Sequence, residues 1–148
     1  MNVWRATLIV AVVVGLCGCD ENLSDIAGPS PTLTPTFASI QAEIFESTDD
    51  AGRVACIQCH TNVGRTPAGG MNLTHDAAYA ALVGTKSSGK PDAIRVVPGD
   101  PEASYLVHKL EGRPGIVGLR MPRTNGPFLT EGQMLIIKRW ITEGAANN

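Results

Sequence analysis

Apolar positions in this chain recur at helical spacing and in short groups. One exception stands at the start, where Ala6 to Gly18 is an uncharged, mostly apolar run of 13 residues behind Arg5. That falls short of the ~20 residues needed to cross a bilayer and matches the hydrophobic region of a secretory signal. Residues 20–36 lose all periodicity and are rich in Pro and Thr, which predicts a tether. Extended at ~3.1 Å per residue, it would reach roughly 50 Å. Phe37, Ile40 and Ile44, widened by Phe45, then predict a helix over 37–47, broken by Asp49-Asp50-Ala51-Gly52. Gly64 to Gly70 reads as loop. A second helix is predicted over 74–83, with Asn72 or Thr74 as cap and Gly84 as stop. Asp100 and Pro101 have the form of an N-cap and first helical position. That helix would run through Leu106 and Leu110 to Gly112. After a Gly/Pro loop over 112–129, Thr130 and Gln133 form a capping box. They open a last helix with Met134, Ile137 and Ile141 on one face, Trp140 beside it and Gly144 at its end. No segment reads convincingly as a strand. The expectation is an all-α domain of three to five short helices wrapped by long loops.

Loops of that length in a compact domain need a cause. Composition sharpens the point: of seven aromatic residues, the last 112 positions hold only Phe37, Phe45, Phe128 and Trp140 among Phe and Trp. A large flat prosthetic group would supply the missing apolar interior, as metals and disulfides do in other small domains. The formal net charge of −2 argues against nucleic acid as a partner, which would require a basic stripe. The length past the signal fits one domain.

The chemistry is concentrated in Cys56-Ile57-Gln58-Cys59-His60, which reads C-x-x-C-H, the attachment pattern of a c-type haem. On one helical turn, positions i and i+3 face the same way. Two thiols there can each form a thioether with a haem vinyl group, and His60 can become the proximal iron ligand. A redox C-x-x-C pair wants a βαβ context, and a zinc site wants further ligands at metal spacing. The chain offers neither before or after the motif.

The apolar run at the start ends Leu16-Cys17-Gly18-Cys19, which resembles a bacterial lipobox. The resemblance implies a signal peptide over residues 1–18, cleavage before Cys19, lipid on its thiol, and a lipidated tether over 19–36. Asp20 then favours the inner membrane, on its periplasmic side. Ordinary secretion without lipid is the alternative. With Cys17 lost and Cys19 lipidated, Cys56 and Cys59 remain for haem, and no pair is left for a disulfide.

Such a haem has one axial position left. Met121, in Arg120-Met121-Pro122-Arg123, is the leading candidate, because a thioether favours ferrous iron and Pro122 stiffens the chain beside it. His108 is the main alternative. Met71 stands only 11 residues past His60, Met134 belongs to a helix face, and His75 reads as solvated. Lys109, Arg113, Arg120 and Arg123 gather around Met121, either as a solvated surface or as partners for haem propionates and an acidic redox protein. Glu43, Glu46, Asp49 and Asp50 read as a solvated acidic face. Gly84 to Lys90 imitates a phosphate loop, but Pro91 stands where Ser or Thr must hold magnesium, so nucleotide binding is rejected.

Together these features resemble a class I cytochrome c. More narrowly, Gly69-Gly70-Met71-Asn72-Leu73, Val97-Pro98-Gly99-Asp100-Pro101, Ser104-Tyr105-Leu106, Lys109-Leu110, Arg120-Met121-Pro122 and Trp140-Ile141-x-x-Gly144-Ala145 are similar to the planctomycete-type cytochrome c domain. The resemblance covers residues 37–148. It implies a mainly helical single-haem fold, with Cys56 and Cys59 as thioether sites. It further implies His60 as proximal ligand, Met121 as distal ligand, and Trp140 packed where the first and last helices cross. The expected function is electron transfer between protein partners by a membrane-anchored carrier, not catalysis. A peroxidase-like enzyme or ligand sensor with an open sixth position is the competing reading.

Overall fold

The structure, a computed structural model, describes residues 32–124 and 126–148. The signal segment, Cys19 and most of the tether lie outside them. Regular structure among the described residues is helical, with isolated bridges in place of strands. The helices are α1 (Phe37–Ile40), α2 (Ala78–Leu82), α3 (Tyr105–Glu111) and α4 (Glu131–Thr142). Single turns of 3₁₀-helix occur at Cys56–Gln58 and Ala68–Gly70.

Helix α1 is capped by Thr36, whose hydroxyl accepts from Ser39 N–H at 3.3 Å. It passes without a break into a π-helical segment, Gln41–Phe45. The wider turn is visible in the Glu46 N–H to Gln41 carbonyl bond of 3.0 Å, an i to i+5 pairing. The folded unit begins earlier than its composition suggests. Leu33, counted with the tether, is 3% exposed and belongs to the core.

Helix α4 follows its sequence signature closely. Thr130 Oγ1 accepts from Gln133 N–H and Gln133 Oε1 accepts from Thr130 N–H, at 3.2 and 3.0 Å. Met134, Ile137, Trp140 and Ile141 are buried along it. The Trp140 ring meets Phe37 of α1 at 5.5 Å between centroids, and Phe37 also meets Tyr79 and Phe45. The chain's end closes this seam: Asn148 accepts through its side chain from Phe37 N–H and through its backbone from Ala38 N–H.

The two middle helices are shorter than expected. Residues 75–77 form turns, and α2 starts only at Ala78 behind Ala77, which offers no side-chain cap. Asn72 Oδ1 instead takes Thr74 N–H at 3.2 Å, one element earlier. Asp100 does cap, but it caps a turn, accepting from Ala103 N–H at 2.9 Å. The helix cap falls to Ser104, which is fully buried. Its hydroxyl donates to the Asp100 carbonyl and accepts from Val97 N–H. That tertiary tie starts α3 at Tyr105, and Gly112 ends it in the left-handed region at φ 73°.

Arg53 joins the first helix to the turn that carries Cys56. Its side chain is fully buried and pairs with Asp49 at 3.0 Å. It donates to the carbonyls of Glu43, Ile44, Ser47 and Val54, the first two of them orphan acceptors at a helix end. Asp49 is thus part of a buried pair and not of a solvated acidic face. Burial alone would raise its pKa, but bonds from Arg53 N–H, the Gln133 amide and the Arg53 guanidinium hold it below the usual carboxylate range.

Arg53→Ala should cost about 3–5 kcal/mol in chemical denaturation, because it leaves a buried carboxylate unpaired. Arg139→Ala, which breaks the exposed pair with Glu143, should cost under about 1 kcal/mol. A depressed folded-state pKa contributes stability above the unfolded value and loses it as pH falls through the folded one. Wild type should therefore lose this contribution as pH drops below about 4, and Asp49→Asn should remove that part of the pH dependence.

Candidate functional site

A cavity of about 390 Å³ opens among the loops. Cys56, Cys59, His60 and Met121 all line it, although 60 residues separate His60 from Met121. Its apolar walls include Ile44, Phe45, Leu73, Leu106, Leu110 and Leu129. The structure thus brings together the four residues singled out from the sequence.

The motif occupies a single tight turn. Cys59 and His60 N–H groups both approach the Cys56 carbonyl, at 3.2 and 2.9 Å. Cys56 Sγ donates to the Ile44 carbonyl at 3.6 Å, which ties the turn to the π-helical segment. Burial pushes the Cys56 thiol up to about 11, against the nearby Arg53 charge. Cys59 is exposed. The adjoining loop folds back on the motif, with Ala68 N–H on the Cys59 carbonyl and Leu73 N–H on the His60 carbonyl.

His60 Nδ1 lies 2.9 Å from the Ala68 carbonyl. A carbonyl only accepts, so Nδ1 carries the proton and Nε2 keeps its lone pair. Burial pushes the imidazole's pKa down, against the Ala68 and Met71 carbonyls. Both effects favour a neutral, tautomerically fixed imidazole, the form that ligates metals.

Met121 is half-buried, with its N–H bonded to the Lys109 carbonyl at 2.9 Å. Met71 lines the same cavity, so closeness in sequence to His60 does not keep it away. His108, Met134 and His75 sit elsewhere. His108 Nε2 lies 2.6 Å from the Glu102 carbonyl and is not among the cavity's lining residues. Met134 faces a separate groove beside Leu129 and Lys138. His75 is exposed, 4.0 Å from Glu46.

The basic cluster around Met121 divides. Arg113 is bound to Glu102 and Glu111, and Lys138 joins the same network. Arg120 stacks over Phe128 at 3.8 Å and donates to the Leu110 carbonyl. Both arginines are structural. Lys109 and Arg123 do line the cavity. Lys109 Nζ donates to the carbonyls of Val117 and Leu119, bracing the 112–120 loop. The Lys109 pKa is lowered by burial and then by the Arg123 charge.

Sequence reasoning missed Arg95, a buried guanidinium on the cavity wall. Its only local signal is a lone cation among Ile94, Val96 and Val97. With Lys109, Arg123 and Arg53, the last balanced by Asp49, it makes four cations on a wall where no Asp or Glu stands among the described residues. The cavity is therefore apolar in its walls and positive in its field, suited to a largely apolar ligand that carries negative groups.

Comparisons with known protein families, curated proteins and solved structures return no match.

Tyr105 holds the rim: its hydroxyl accepts from Val117 N–H at 2.8 Å. Tyr105→Phe deletes that acceptor at a cost of about 1 kcal/mol. Amide exchange at Val117 should quicken several-fold, while exchange inside α4 stays unchanged.

Proposed function

We propose that this chain is an extracytoplasmic electron carrier of the c-type cytochrome class, holding one haem in the cavity. Cys56 and Cys59 would bind it through thioethers, with His60 and Met121 as axial ligands. The observation that carries the reading is the convergence of two thiols, a neutral imidazole and a thioether on one apolar cavity, with no carboxylate among its described lining residues. The fit is chemical as well as spatial. The volume lies in the range of small-molecule and cofactor sites, and the donors are the soft and imidazole types that suit haem iron.

When bound, haem supplies a one-electron ferric/ferrous couple. The chain's own residues do the rest. Ala68 fixes the His60 tautomer and orients the ring. Ile44, Phe45 and Leu129 give the cavity an apolar wall, and exclusion of water by such walls strengthens electrostatic interactions. Met121 is preferred over Met71 because it arrives on a distant segment, anchored to Lys109. A membrane-anchored carrier with lipid on Cys19, working on the periplasmic side with protein redox partners, completes the reading.

A haem stain after denaturing electrophoresis, with mass spectrometry of the mature chain, tests the covalent claim. Wild type should retain haem, the Cys56→Ser plus Cys59→Ser double variant should lose it, and unmodified thiols in wild type would defeat the proposal. Met121→Ala should lose the methionine–iron charge-transfer band and bind carbon monoxide rapidly, whereas Met71→Ala should keep the wild-type spectrum. Rapid carbon monoxide binding by wild type would favour the enzyme or sensor reading instead.

A further inference from the structure

Two arginines are buried on the cavity wall, and their surroundings differ. Arg53 has the Asp49 carboxylate as counter-charge. Arg95 is 7% exposed and has no ion-pair partner among the described residues. Its guanidinium donates only to neutral acceptors: the carbonyls of Ala81 at 2.7 Å, Gly69 at 3.2 Å and Gly70 at 3.4 Å, and Ser88 Oγ at 3.2 Å. These bonds satisfy hydrogens and aim the group, but they do not neutralise it. Its Nε has no hydrogen-bond partner among the described residues.

The backbone is equally committed. Arg95 N–H donates to Thr85 at 2.8 Å, and the Arg95 carbonyl accepts from Leu106 N–H at 2.9 Å. The residue is pinned between the 84–90 loop and the start of α3, and its side chain cannot drift to solvent without dismantling both. Arginine does not escape burial by losing its proton, and an uncompensated buried charge is costly. Lys109 and Arg123 on the same wall add to the positive field. A counter-anion is therefore to be expected from the cavity's ligand.

We propose that Arg95 is the anchor for a carboxylate arm of the bound haem, and that the pair raises the reduction potential. This rests on the function proposed above. Charge-assisted hydrogen bonds to a carboxylate are about twice as strong as neutral ones. The guanidinium also offsets the carboxylate's negative field, which would otherwise stabilise the oxidised iron. Arg95 acts through the carboxylate and is a positioning residue.

The test is a redox titration of haem-loaded wild type, Arg95→Gln, Arg95→Lys and Ser88→Ala, after a haem stain confirms covalent attachment in each. Arg95→Gln should lower the potential by about 59 mV, a tenfold change for a one-electron couple. Arg95→Lys should restore most of it. Ser88→Ala, which removes one of four braces without removing charge, should shift it far less than Arg95→Gln, and an equal shift overturns the charge argument. A wild-type potential in haem-loaded Arg95→Gln, or equal shifts in the Lys and Gln variants, overturns the anchor and leaves the carrier reading standing. Absence of covalent haem from wild type overturns the carrier reading itself. Should Arg95→Gln fail to fold, wild type with ¹⁵N-labelled arginine decides the matter by redox-difference infrared spectroscopy. Guanidinium and carboxylate bands should shift together on reduction, and silent guanidinium bands overturn the anchor.

Discussion

The buried Arg53–Asp49 pair is the constraint on which the rest of this structure depends. A short helix that ends in a π turn leaves several carbonyls without partners, and Arg53 takes those of Glu43 and Ile44, together with that of Ser47 just beyond, in one side chain. Asp49 then accepts from Gln133 at 3.4 Å, which links the same pair to α4. Three residues beyond Arg53, the Cys56 thiol bonds to Ile44. Helix end, C-x-x-C-H turn and C-terminal helix are thus referenced to one guanidinium. The desolvation cost of burying it is met by four carbonyls and one full counter-charge, the condition under which a buried ion pair is tolerated.

That arrangement explains how so few aromatics suffice. Phe37 draws Phe45, Tyr79 and Trp140 into one cluster at the crossing of α1 and α4, and this is where the chain builds its own core. On the far side of Ile44 and Phe45 the walls enclose a cavity instead of side chains. The proposed haem would complete that half of the interior. The same layer of residues would then serve two purposes, one face packed by protein and the other by the proposed cofactor.

What could be read from the sequence was whatever is decided locally. The Thr130–Gln133 capping box, the α4 face and the Gly112 stop depend on near neighbours, and the structure places them as expected. Asp100-Pro101 was ambiguous because one signature serves a turn and a helix start. The choice is made by Ser104 binding Val97, a contact outside the helix. The C-x-x-C-H motif and Met121 were legible as chemical types, and the fold adds their convergence on one cavity. Arg95 was not legible, since its meaning comes from a wall assembled from distant segments that holds no Asp or Glu among the described residues. Arg113 shows the converse: a cation suspected of a role in the site is consumed by Glu102 and Glu111.

The seam between Asn148 and the first turn of α1 has a mechanical consequence. A pull along the backbone ahead of Leu33 would load the buried Leu33 side chain first and then Thr36. There the load passes through Phe37 and Ala38 into the C-terminal tail and, through Trp140 and its bond to Ala146, into α4. The turn bearing Cys56 and Cys59 lies off this line of force. Such a pull would therefore load the joint between α1 and the C-terminal tail before the loops that shape the cavity.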